Sequence, residues 1–128
     1  MGHANGQLVM IGFTILGKGM SDYSPHPAIE YIWDNAPAYA KAKGELAQLE
    51  AFKSSLKAIL MKKSGESTVT AQEREAYAHP DYQNHCHAIG QATEKVELLK
   101  WRLTSAQLRF DAWRSEQANN RNMDKLTK

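Results

Sequence analysis

Ile89, Ala92, Val96, Leu99, Leu103, Ala106, Phe110 and Trp113 recur at alternating spacings of three and four residues. Such an apolar seam has a period of 3.5 and belongs to a helix packed along its length. Leu98, Trp101, Ser105, Leu108 and Ala112 form a second set with the same alternation. At about 100° per residue the two sets point to roughly opposite sides of one helix. A helix with two apolar faces needs two partners. One can come from elsewhere in the chain, and a second copy of the chain is a candidate for the other.

The first partner is legible upstream. Ala42, Leu46, Leu49, Phe52, Leu56, Ile59 and Leu60 form an apolar stripe within a run from Pro37 to Lys63 that contains no further proline. Lys41, Lys43, Lys53, Lys57, Lys62 and Lys63 surround it, and the last two suit the negative end of a helix dipole. Before it, Ser24-Pro25 and Pro27 signal a helix start. Ala28, Ile29, Ile32 and Trp33 then make one short amphipathic helix, expected to end near Asn35, with Pro37 restarting the chain. Residues 64–68 read as a loop with Gly65 as its C′ glycine. Thr70-Ala-Gln-Glu73 matches a capping box, which predicts a short helix over residues 71–78. Pro80 suits the first turn of the final helix, expected to run to about Asn120 with Gly90 as a weak point.

The expected fold is therefore all-α: an antiparallel helical hairpin of two long helices plus short helices, assembled as an oligomeric helical bundle. The stripe on residues 42–60 should meet the seam on residues 89–113. Either the N-terminal helix or oligomerisation must then cover Leu98, Trp101, Leu108 and Ala112, and oligomerisation is favoured as the interface. Residues 20–121 form a single helical domain in this reading, and residues 122–128 a frayed tail. Residues 1–19 hold five of the eight glycines and no helical periodicity, although Val9, Ile11, Phe13 and Ile15 alternate as a short strand would. They read as an upstream extension ahead of a natural start at Met20, or as a tail that is disordered or pairs with a neighbouring subunit.

A net charge of +2 hides an uneven distribution. Residues 41–63 carry six Lys against two Glu, and residues 95–128 carry eight basic against four acidic side chains. The linker over residues 64–94 carries five acids and one Arg. Both long helices are thus basic and the segment between them acidic. The longest apolar run, Leu8 to Leu16, is too short to span a membrane and lacks the flanks of a signal peptide. Cys86 is the only cysteine, so no intrachain disulfide can form. A cytoplasmic protein with no membrane partner is expected.

Motifs for catalysis are absent: no G-x-S-x-G, no phosphate-binding glycine loop and no H-E-x-x-H. The chain is read as a non-enzyme with no cofactor. His79, Asp81, His85, Cys86 and His87 cluster in sequence but lack zinc-ligand spacing, so no metal site is assigned. The basic helices say more. Lys53, Lys57, Lys62 and Lys63 on the first helix, and Arg102, Arg109, Arg114 and Arg121 on the second, are the candidate phosphate contacts of a nucleic-acid-binding surface. Lys95, Lys100, Trp101 and Trp113 accompany them. Aromatic rings can stack on single-stranded bases, yet Trp113 lies on the packing seam. Trp101 lies on the second face, where an oligomer contact, packing on the N-terminal helix and a nucleotide contact compete.

Three phrases, YAKAKGELAQLEAFKSSLKAILMKKSGE at 39–66, AQEREAYAHPDY at 71–82 and LLKWRLTSAQLRFDAWRSEQANNR at 98–121, together resemble a group of small helical phage- or prophage-encoded proteins, mostly of unknown function. In size, helical layout and basic helices the chain is also similar to phage recombination mediator proteins, with scattered matches at Leu49-Glu50 and Glu73-Arg74-Glu75. That resemblance implies an oligomeric accessory protein in the host-cell cytoplasm. It would bind single-stranded DNA and assist homologous recombination or annealing through contact with a recombination protein. A non-enzymatic adaptor or inhibitor of a host protein is the alternative, and a structural virion subunit the second alternative.

Overall fold

The computed structural model describes residues 25–127, and the expectations for residues 1–19 lie outside them. Three α-helices account for nearly all of the described chain: α1 (His26–Lys63), α2 (Val69–Ala78) and α3 (Pro80–Thr127). There is no strand among the described residues. The expectation of an all-α protein is met.

Helix α1 begins where the prolines allow. The Pro25 carbonyl accepts from the Ile29 N–H at 3.1 Å, and Pro27 sits in the first turn, where a missing N–H is no loss. The expected break near Asn35 does not occur, and Pro37 lies inside one continuous helix. An interior proline forfeits the bond to the carbonyl four residues back, here that of Trp33, at a cost of about 3 kcal/mol. Burial shows what offsets it. Ala28, Ile32, Asn35, Tyr39, Ala42, Leu46, Leu49, Leu56 and Leu60 are all buried or half-buried. They keep one alternation of four and three, with exposed Lys53 filling the remaining position. Pro37 stands outside this line, and a break there would put its two halves out of register. Phe52 and Ile59, expected in the stripe, lie at its edge and are exposed.

The chain divides into two compact units. One is Asn35–Arg102, and the other joins, of the described residues, 25–34 to 103–127. Within the first unit three contacts join α1 and α3. Leu49 meets His85, whose Nε2–H donates to the Leu49 carbonyl at 2.7 Å. Farther back on α1 and farther on along α3, Glu45 meets Lys95 at 3.9 Å. Phe52 packs edge-on against the His85 ring, with centroids 5.7 Å apart. The core holds Ala42, Leu60, Ala76 and Val96 in this unit, and Ala28 and Ala106 in the other.

All eight residues of the α3 seam, Ile89 to Trp113, are buried or half-buried. The helix passes the expected end near Asn120 and reaches Thr127. Residues 118–127 contain neither proline nor glycine, so nothing in the local sequence stops it.

The connections are short and well capped. Ser64 Oγ donates to the Met61 carbonyl at 2.8 Å, and Gly65 takes φ 74°, the left-handed conformation expected of a C′ glycine. The cap of α2 is Thr68, not Thr70: its Oγ1 accepts from the Ala71 N–H at 3.2 Å. Glu73 therefore completes no capping box and is free to pair with α1. Between α2 and α3 stands one residue, His79. Its N–H donates to the Ala76 carbonyl at 3.2 Å, closing α2. Its Nδ1 accepts from the Asp81 N–H at 3.0 Å, opening α3. Pro80 takes the first helical position, as expected.

Candidate nucleic-acid interface

Of the four lysines expected to meet phosphate on α1, two are occupied within the protein. Lys57 Nζ pairs with Glu73 at 3.1 Å and stands over the Tyr77 ring, 4.7 Å from its centroid. The Tyr77 hydroxyl first, and then the Glu73 carboxylate, hold the Lys57 ammonium above its ordinary value of 10.5. One turn earlier, Lys53 lies 5.9 Å from the centroid of Tyr82. Tyr77 and Tyr82 meet edge-to-face at 5.2 Å. These two lysines and two tyrosines form a ladder that fastens α2 and the start of α3 to α1. The sequence holds a signal for it, since Lys53 and Lys57 are one helical turn apart, but no local pattern marks Tyr77 and Tyr82 as their partners.

Lys62 and Lys63 are exposed in the last turn of α1. Arg102 is exposed at the end of the same unit. In the other unit Arg121 is exposed, Arg109 is half-buried, and Arg114 pairs with Asp111 at 3.7 Å while lying over the Phe110 ring. Among the described residues Lys62, Lys63, Arg102, Arg109 and Arg121 make no ion pair. An unpaired cation can meet an external anion without first giving up an internal one.

The second apolar set is solvent-facing at every position. Leu98 is 50% exposed, Trp101 63% and Leu108 61%, with Ser105 and Ala112 exposed as well. Lys100 Nζ stands 6.0 Å from the Trp101 ring. The histidine-rich start of α3 is put to structural use. His79 caps, His85 binds the Leu49 carbonyl, Cys86 is a half-buried free thiol and His87 is exposed. Among the described residues no group of three His, Cys, Asp or Glu side chains is placed to hold a metal ion. No described helix is long and apolar enough to cross a membrane.

No family model, curated protein or solved structure matches the chain.

Proposed function

We propose that the chain is a non-enzymatic accessory protein of phage type, built on an antiparallel helical hairpin that self-associates. It binds single-stranded DNA through phosphate contacts and assists recombination or annealing by contact with a partner protein in the host cytoplasm. The reading is carried by one observation: the acidic linker engages Lys57, yet Lys62, Lys63, Arg102, Arg109 and Arg121 make no ion pair among the described residues. Lys62 and Lys63 in one unit, and separately Arg109 and Arg121 in the other, are assigned the phosphate contacts, and Arg102 is left to the apolar face it borders. Lys53 and Lys57 keep a structural part, and Arg114 is partly neutralised by Asp111. Contact would be to the backbone, without sequence readout.

A salt titration tests this. Two contacts, the number each unit supplies, give a slope of about −1.4 in the logarithm of affinity against the logarithm of salt on a single strand. Fluorescence anisotropy of a labelled oligothymidylate should show that slope, and K62E/K63E should reduce both affinity and slope. Micromolar protein that leaves the oligonucleotide free at low salt, or binding that ignores salt, rules the reading out.

The exposed Leu98 and Trp101 favour a second reading, an adaptor that binds a host protein through this apolar face. A stoichiometric host protein retained from lysate after nuclease treatment, and lost in Trp101→Ala, would select it.

A further inference from the structure

We infer that the exposed face of α3 is closed by the same face of a second copy, with the two α3 helices parallel and in register. The inference rests on the self-association in the reading above but not on nucleic-acid binding. The face is a seam in its own right: Leu98, Trp101, Ser105, Leu108 and Ala112 alternate by three and four and are all exposed. It lies opposite the inner seam, so a partner there leaves α1 undisturbed.

The charges along its two edges choose the partner and the direction. One edge carries Glu97 and Asp111, separated by Thr104. The other carries Lys95, Arg102 and Arg109 at seven-residue intervals, followed on the same line by Glu116. Residues flanking a helical seam set partner and orientation through the pairs they make. Antiparallel copies would lay basic edge on basic edge and acidic edge on acidic edge. Parallel copies lay the acidic edge of each on the basic edge of the other. A residue then meets the one five places further along the partner, so Glu97 meets Arg102 twice across the dimer axis.

Both side chains are exposed, and neither makes an ion pair among the described residues. Lys95, which would face Gly90, is already paired with Glu45. Arg109 would face Thr104. Asp111 and Glu116 are the like-charged meeting. Asp111 is held by Arg114, whereas Glu116 Oε2 is shielded from solvent without a hydrogen-bond partner, so this meeting opposes the pairing and Glu97–Arg102 favours it. Leu98, Trp101 and Leu108 would each meet their own copy, and Glu94, next in the same register, ends the seam. Arg102 is thereby an intersubunit partner and not a phosphate contact.

The full-length protein without nucleic acid supplies the test. Light scattering at about 50 μM should give twice the 14.4 kDa of one chain. E97R and R102E should each weaken the dimer about tenfold, because two attractions become two repulsions, and E97R/R102E should return to within about threefold of the parent. Leu98→Cys in a Cys86→Ser background should oxidise to a covalent dimer. A monomeric mass, a mass of three or more chains, or a double swap no better than its worse single swap overturns the inference. So does Leu98→Cys cross-linking only to a Leu108→Cys or a Ser115→Cys copy, the marks of antiparallel pairing. Apart from half-buried Cys86, the substituted positions are solvent-facing, and unchanged helical circular dichroism shows that each variant folds. Oligonucleotide binding, measured separately, leaves this result untouched either way.

Discussion

His85 ties α3 to α1 by two interactions at one side chain, and His85→Ala removes both. The hydrogen bond from Nε2 to the Leu49 carbonyl is short, at 2.7 Å, and such a bond contributes about 1 kcal/mol net. The edge-on contact with Phe52 adds roughly 0.5–1 kcal/mol. The Leu49 carbonyl lies within α1 and keeps its helical donor, so no acceptor is wholly orphaned and the larger penalty of an unsatisfied group does not apply. The sum is about 2 kcal/mol, or a fall of roughly 8 °C in Tm for a chain of this size. Urea denaturation followed by circular dichroism, at one fixed protein concentration because assembly adds its own stability, measures it. His87→Ala, two residues on and exposed, should stay within about 0.5 kcal/mol of the parent. A double-mutant cycle with Phe52→Ala should return a coupling of about 0.5 kcal/mol or more. Equal stabilities for His85→Ala and the parent, or strict additivity in the cycle, would refute the assignment.

Two further outcomes are expected. Thr68→Ala should cost about 1 kcal/mol by removing the cap of α2, and Thr70→Ala only a few tenths; urea midpoints in the reverse order would return the cap to Thr70. Lys57 is held above its ordinary value by Tyr77 and Glu73, so its contribution is complete below pH 10.5 and is lost as pH rises through its higher folded value. The stability difference between the parent and Lys57→Gln should therefore be flat from pH 8 to 10 and shrink above that range, whereas a constant difference up to pH 11.5 would contradict the pairing.

Periodicity was the most informative feature of the sequence. The α3 seam and its opposite face separate in the structure into a shielded and an exposed set, residue by residue, because a 3.5 repeat leaves little freedom about which side is buried. The end of α1 at Gly65 was equally plain, since a left-handed turn after a helix favours glycine. Pro37 misled for a definite reason. Its local cost is real, but the line of buried residues running past it on both sides was obscured by Asn35 and Tyr39, polar residues that do not announce a packing stripe. Thr68 and Thr70 are two residues apart with similar capping chemistry, and Glu73, which completes the capping-box pattern with Thr70 in the sequence, pairs instead with Lys57, distant in sequence. The lysine–tyrosine ladder needed a tertiary contact between positions with no shared local pattern. As for the basic residues, formal charge showed where they stand in the chain and not which of them an internal carboxylate already holds.

His79 closes one helix and opens the next, and a joint of one residue has no slack in length. Inserting a single residue between Ala78 and Pro80 would lengthen this extended joint by about 3.3 Å and change the direction in which α2 leaves α3. Glu73 and Tyr77 would swing away from Lys57 together. The segment from Ser64 to Thr68 carries no such constraint, because a flexible loop takes extra residues at small entropic cost. Length variation in chains of this design should therefore gather at the first corner and be excluded from the second, so that the spacing between Glu73 and His85 acts as a fixed ruler while the spacing between Lys57 and Glu73 is free to drift.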